Sequence, residues 1–98
     1  MLIYHVVLPP DWEMFKDGKP YAAESLRTEG FIHCSYAAQL DGVLERYYKN
    51  AGKVLVLNIE TEKLTSKLVD EPSTNNEIYP HIYGTINSAA IVDVEERN

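Results

Sequence analysis

The chain has 98 residues, a length that suits one hydrophobic core, so we expect residues 1–98 to form a single domain. Hydrophobic residues make up 45% of the chain and charged residues 24%, which is ordinary for a globular protein and argues against intrinsic disorder. The formal net charge of −6 disfavours binding to a nucleic-acid backbone, and no run of Lys or Arg indicates attachment to an anionic membrane surface.

The N-terminal segment and the cysteine content bear on the compartment. Residues 1–5 lack the basic and long apolar regions of a signal peptide, and no apolar stretch approaches the roughly 20 residues that span a bilayer. Cys34 is the only cysteine, which excludes an intramolecular disulfide and a multi-cysteine zinc site. We therefore expect a cytoplasmic protein, and the sequence gives no indication of its oligomeric state.

The first third of the chain predicts one strand and one short helix. Residues 2–8 are rich in β-branched and aromatic side chains, which favours a buried strand. Asp11 is suited to begin a helix that runs to Lys16, with Trp12 and Phe15 on one face. Residues 21–29 are polar and predict irregular structure.

The middle of the chain predicts a strand, a long helix and a second buried strand. Residues 31–34 are expected to form the strand, and Ser35 to act as the N-cap of a helix over residues 36–49. Apolar side chains recur at helical spacing in that helix. Residues 53–60 are almost continuously apolar, which is typical of a strand buried on both faces.

The last third predicts two more strands, over residues 67–71 and 91–95. Between them we expect a polar loop over 72–78, a short aromatic segment over 79–83 that Gly84 ends, and a possible helical turn over 87–90. Strands outnumber helices and do not alternate with them, which favours a compact α+β domain with a mixed or antiparallel split sheet and two main helices. The core residues expected from these patterns are Leu2, Tyr4, Val6, Leu40, Leu44, Val54, Val56, Ile91 and Val94.

The first group of candidate functional residues lies over residues 30–35. His33 and Ser35 are two residues apart, so they would face the same side of an extended segment. Near the start of a helix they could hold a ligand hydroxyl or phosphate. The alternative is that Ser35 is only a helix cap and His33 is a partly buried structural histidine.

The second group lies over residues 71–84. Glu71 ends a strand and precedes a proline, so its carboxylate could accept hydrogen bonds from a sugar or act as a general base. His81 and Tyr83 are also two residues apart, and the Tyr83 ring could stack on a planar ligand. The alternative is an aromatic loop with Glu71 exposed to solvent. We expect both groups to line one pocket.

Three further observations favour structural roles. His5 lies mid-strand, where a core histidine bonded to a backbone carbonyl is the simplest interpretation. Cys34 is expected to be an inert buried thiol, and Tyr47 and Tyr48 are expected to pack along the helix. No ligand spacing supports a metal site, so none is expected.

Several segments, taken together and in order, resemble the domain of unknown function family 952. They are residues 3–7, Trp12, the stretch Gly-Phe-Ile-His-Cys-Ser over 30–35, Gln39, the stretch Glu-Pro-Ser over 71–73 and the stretch Tyr-Pro-His-Ile-Tyr-Gly over 79–84. The resemblance covers nearly the whole chain. Members are small bacterial proteins grouped with the ADP-ribosyltransferase-like superfamily, whose fold is a split pair of small sheets that hold NAD in a cleft.

The resemblance implies a function that handles NAD or another nucleotide or small molecule, with transfer or hydrolysis of an ADP-ribosyl group. In that interpretation Glu71 and His33 are the catalytic candidates, and Ser35, His81 and Tyr83 bind the cofactor. The alternative is a non-catalytic binding or interaction module on a degenerate version of the same fold. The two differ in whether Glu71 shares one concave site with His33.

Overall fold

Six strands form two three-stranded sheets in the computed structural model, which describes residues 1–98. The strands are β1 (Leu2–Val7), β2 (Ile32–His33), β3 (Val54–Glu60), β4 (Lys67–Pro72), β5 (Ile78–Tyr83) and β6 (Ile91–Arg97). The helices are α1 (Pro9–Glu13), α2 (Glu24–Thr28) and α3 (Ala37–Tyr47). Short 3-10 turns lie at Thr61–Lys63, Thr74–Asn76 and Ser88–Ala90. None of the helices has the length and apolar character needed to cross a bilayer.

The first sheet has the strand order β1-β3-β6, with both pairs antiparallel. Its central strand, β3, has neighbours on both edges, and its first four residues, Val54 to Leu57, are all buried. This explains why the sequence there is almost continuously apolar, since polar side chains would face protein on either side.

The second sheet has the order β2-β5-β4, again antiparallel. Its central strand, β5, pairs with only two residues of β2 but with the full length of β4. Pro72 lies at the end of β4, on an edge of the sheet, where its missing N–H interrupts no inner ladder.

Two pairs of backbone hydrogen bonds outside the sheets join distant segments. Tyr4 on β1 exchanges bonds with Ser35, just after β2, at N–O distances of 2.8 and 2.7 Å. Tyr21 exchanges bonds with Ile86, both at 2.9 Å. The first pair links the two sheets directly, so the groove beside it has a fixed width.

The apolar core has a main part and a smaller second part. The main cluster includes Ile3, Ile32, Leu57, Ile59, Ile82 and Ile86, all fully buried, and draws on both sheets. The second cluster, Val6, Leu40, Val54 and Val56, packs α3 against the first sheet. The α+β class with antiparallel sheets is therefore confirmed.

Several details of the prediction are wrong. Leu2 is exposed, because it starts an edge strand on the solvent side, and Tyr4, Leu44, Ile91 and Val94 are only half-buried. Three helices form instead of two, and only α3 is longer than five residues. The predicted irregular segment over 21–29 contains α2, a single turn that the sequence pattern is too short to signal.

The helix starts also differ from those predicted. Ser35 does not cap α3, since its backbone pairs with Tyr4. The N-cap is Tyr36, whose backbone N–H donates to Gln39 Oε1 at 3.0 Å while its carbonyl accepts from the Gln39 N–H. Likewise α1 begins at Pro9 and not at Asp11, because proline suits the first turn of a helix.

Candidate functional site

A cavity of about 550 Å³ opens where β1 of the first sheet meets β2 of the second. We call it the central cavity. Its wall combines apolar side chains of β1 with five tyrosines and several hydroxyl groups from β2 and the loop after β4. The polar and aromatic lining residues are Tyr4, His5, Asp11, Tyr21, Glu24, Ser25, His33, Ser35, Tyr47, Tyr48, Ser73, Thr74 and Tyr79. Its volume lies within the range of small-molecule sites.

His5 and Tyr21 form a hydrogen-bonded pair in the wall of the central cavity. The His5 Nδ1–H donates to the backbone carbonyl of His33 at 2.6 Å, which leaves Nε2 to accept from the Tyr21 hydroxyl at 2.8 Å. Burial lowers the pKa of His5 to about 4, so the ring is neutral at physiological pH. The predicted role of His5, a core histidine bonded to a carbonyl, is confirmed, although the ring also borders the cavity.

A second group of side chains surrounds the ring of Phe31 on one face of the second sheet. We call it the Phe31 cluster; its members are Phe31, His33, Glu71, His81 and Tyr83. Phe31 stacks on His81 with ring centroids 4.2 Å apart, and lies 4.9 Å from the His33 ring and 5.4 Å from the Tyr83 ring. Strand pairing explains the arrangement, because His33 is directly opposite His81 and cross-strand partners share a face.

Glu71 accepts two hydrogen bonds on one carboxylate oxygen. His81 Nδ1 donates to Oε1 at 2.8 Å, and the Tyr83 hydroxyl donates to the same oxygen at 2.6 Å. These bonds, the Tyr83 bond foremost, lower the pKa of Glu71, and the Glu71 carboxylate in turn raises the pKa of Tyr83. His81 is buried, and its Nε2 has no hydrogen-bond partner. Glu71 is therefore held as an ionised acceptor, with Oε2 outside these two bonds.

His33 connects the Phe31 cluster with the central cavity. It lines the cavity, and its ring lies 5.2 Å from that of His81. Glu71 is not in the lining, although its register partner Tyr79 and Ser73, two residues after it, are. Its carboxylate, however, is held by side chains farther along β5, on the side away from Tyr79. Glu71 and His33 thus lie on one face of the sheet, but only His33 lines the cavity.

The expectation of one shared pocket is met in part. His33, Glu71, His81 and Tyr83 come together in the Phe31 cluster. Ser35 lies apart from that cluster, but it lines the central cavity together with His33, two residues before it. Ser35 is buried and its predicted capping role is wrong, since Tyr36 is the N-cap of α3.

Sequence reasoning assigned no functional role to several residues of the site, among them Phe31, Tyr21, Asp11 and Tyr47. Phe31 belonged to a predicted strand and Tyr21 to a predicted irregular segment, and only tertiary structure shows that their rings lie against histidines. Tyr47 was expected to pack along its helix, but it is exposed, and its hydroxyl lies 2.8 Å from Thr74 Oγ1 across the cavity mouth. The adjacency of Tyr47 and Tyr48 could have indicated this, because two neighbouring helix positions cannot both face the core and one of the two rings must point away from it.

Comparison with protein families gives a clear result. A family model described as "Protein of unknown function (DUF952)" matches residues 6–94. The chain belongs to this family. The match spans the whole Phe31 cluster and all of the central cavity lining except Tyr4 and His5. No curated protein matches the chain.

Two solved structures share the fold of this DUF952 protein. Both are crystal structures of protein CC0527 from Caulobacter crescentus, a structural-genomics target. One has a TM-score of 0.89 at 21% identity. The other, of a double mutant of that protein, has a TM-score of 0.88 at 20% identity. In each comparison all of this chain is covered, with 87% of the other. At this identity the likeness shows the fold alone.

Proposed function

We propose that the central cavity binds a small molecule with a planar ring and a hydroxylated sugar, that is, a ligand of the nucleoside type. The observation that carries the proposal is the composition of the wall. Five tyrosine rings offer stacking surfaces, and the hydroxyls of Ser35, Ser73 and Thr74 offer partners for sugar hydroxyls. A volume of about 550 Å³ suits such a ligand.

NAD is the first candidate, and the support for it is the resemblance to the ADP-ribosyltransferase-like superfamily together with two sheets that flank a cleft. The nicotinamide and its ribose match the aromatic and hydroxyl groups of the wall. The diphosphate has no counterpart there, since the lining contains no Lys or Arg. In this version of the proposal His33 and Ser35 hold the ribose, and Tyr83 and His81 position the Glu71 carboxylate by donating hydrogen bonds to it.

The corresponding activity is transfer or hydrolysis of an ADP-ribosyl group. The bond between the anomeric carbon and the nicotinamide nitrogen breaks, and nicotinamide leaves with the electron pair. An acceptor oxygen, from water in hydrolysis, bonds to that carbon and gives up its proton. In this proposal Glu71 accepts the proton or stabilises the positive charge at the anomeric carbon, and the bonds from Tyr83 and His81 that lower its pKa keep it ionised. For either role the carboxylate has to turn from Tyr83 towards Tyr79.

One observation favours the second candidate, a binding module without catalysis. The Glu71 carboxylate is engaged by both His81 and Tyr83 and is not part of the cavity wall. A residue held this firmly by its neighbours stabilises the sheet whether or not a reaction takes place. A module keeps the cavity and its ligand but has no turnover.

A thermal melt with NAD, ADP-ribose and nicotinamide in separate samples tests the proposal. Ligand at a hundredfold its dissociation constant stabilises the folded state by about 2.7 kcal/mol, which raises the melting temperature of a domain of this size by roughly 10 °C. His33→Ala should reduce that rise, because His33 lines the cavity. Glu71→Gln should keep the rise and abolish release of nicotinamide, and Glu96→Gln, an exposed site on β6, should change neither.

The outcomes separate the candidates. Stabilisation with release of nicotinamide supports the enzyme, and stabilisation without release supports the binding module. If none of the three ligands, nor a free nucleoside, shifts the melting temperature of the unmodified chain, the proposal of a nucleoside-type ligand is wrong.

A further inference from the structure

The side chains of the central cavity that carry a fixed charge are all acidic. Of the 19 residues that line it, none is Lys or Arg, whereas Asp11 and Glu24 carry carboxylates. Glu24 pairs with Arg27, which is outside the lining, but Asp11 has no ion-pair partner. The chain as a whole carries a net charge of −6, so the field of the rest of the molecule does not compensate.

Arg46, outside the lining, is already engaged by two tyrosines of the wall. Arg46 Nη2 donates to the Tyr79 hydroxyl at 2.8 Å, and the guanidinium carbon lies 5.7 Å from the centroid of the Tyr47 ring. Both tyrosines line the cavity, while Arg46 itself does not. A phosphate in the cavity would therefore have to displace these contacts in order to gain a cationic partner.

The groups that the cavity does offer suit neutral or positively charged ligands. The faces of tyrosine rings carry negative potential and attract cations, and hydroxyl groups bond to sugar or amide groups without requiring a charge. Ser35 is buried in the wall, two residues from His33 on the same strand end. Asp11 is close enough to the cavity for its charge to act on the Tyr21 phenol, whose pKa is raised, mainly by burial and further by Asp11.

We infer that the central cavity selects nucleosides with a neutral or cationic ring over the corresponding phosphates. This inference rests on the proposed function and adds the ligand's charge to it. A phosphate adds negative charge to a cavity that already holds the Asp11 carboxylate and has no cation in its lining. Repulsion between these like charges in a partly closed site weakens binding by about tenfold. The ring of nicotinamide riboside is itself cationic, so that nucleoside has the charge that the cavity favours.

Isothermal titration calorimetry with four probes tests the inference. Nicotinamide riboside and its 5′-monophosphate differ only in the phosphate, and so do adenosine and adenosine monophosphate. We expect each nucleoside to bind about tenfold or more tightly than its monophosphate at low salt, with a smaller ratio at high salt because screening weakens the repulsion. Asp11→Asn should reduce the ratio, and the matched control Asp93→Asn, an exposed site on β6 outside the cavity, should leave it unchanged.

The failures of the two proposals are distinguishable. If a monophosphate binds as tightly as its nucleoside, or more tightly, the inference about charge is wrong while the nucleoside-type ligand stands. An Arg46→Gln variant that then loses the monophosphate would identify the cation responsible. If none of the four probes binds, the proposed function is wrong and this inference with it.

Discussion

At the scale of single residues, His5 shows how a polar side chain is accommodated beside a core. Both of its ring nitrogens are used, one by the His33 carbonyl and one by the Tyr21 hydroxyl, so neither nitrogen of the buried His5 ring is left without a partner. The ring is kept neutral chiefly by its burial, which disfavours the charged form. Protonation and folding are therefore coupled at this residue.

This coupling predicts how stability depends on pH. The pKa of His5 is about 4 in the folded protein and about 6.5 when unfolded, so the unfolded chain binds the extra proton first. The neutral His5 ring contributes on the order of 3 kcal/mol to the free energy of unfolding. This contribution is fully present above pH 6.5 and is lost progressively as the pH falls towards 4. Urea unfolding at several pH values measures it. If the free energy of unfolding of His5→Gln has the same slope against pH between about 4 and 6.5 as that of the unmodified chain, the coupling does not come from His5.

At the scale of elements, α3 docks on the first sheet through one strongly buried side chain. Leu40 is buried against Val6, Val54 and Val56, whereas Leu44, one turn later, is only half-buried. Spacing alone ranks the two positions equally, because both lie on the apolar face. The difference is one of exposure, because Leu44 packs against the same cluster but keeps part of its surface in solvent.

Two matched truncations on α3 should therefore differ. Leu40→Ala leaves a cavity in a well-packed cluster and should lower the free energy of unfolding by about 2–5 kcal/mol. Leu44→Ala removes the same atoms from a half-exposed site and should cost less than half as much. Chemical unfolding of both variants gives the comparison. Equal losses would mean that Leu44 contributes to the core as fully as the pattern predicts.

The sequence predicted the elements better than the site. Five of the six strands were expected near their observed positions, because apolar periodicity records burial directly, whereas the segment that forms β5 was expected only as a short aromatic stretch. The capping role of Ser35 was wrong, since a serine before a helix is equally compatible with a backbone pair to a distant strand. Phe31 could not have been recognised as the centre of a cluster, because its partners come from strands 50 residues later and only the strand register brings them together.

At the scale of the whole molecule, Cys34 offers a probe of global unfolding. It is buried in the main core cluster, and burial raises the pKa of its thiol, so the reactive thiolate is suppressed in the folded state. We expect a thiol reagent to leave the native protein unmodified at pH 8 and to label it quickly in denaturant. Leu40→Ala should speed labelling under native conditions in proportion to its loss of stability. Fast labelling of the unmodified native protein would show that this part of the core opens locally.

The two sheets are interleaved along the chain, which affects when the protein can fold. The first sheet is assembled from β1, β3 and β6, and the second from β2, β4 and β5, so each needs residues from distant parts of the chain. The innermost strand of the first sheet lacks one of its neighbours until residues 91–97 are available. During synthesis on a ribosome, this sheet therefore cannot close until the last strand has left the exit tunnel. Folding of the first sheet is therefore expected to be a single event that follows the emergence of β6, and not a strand-by-strand process.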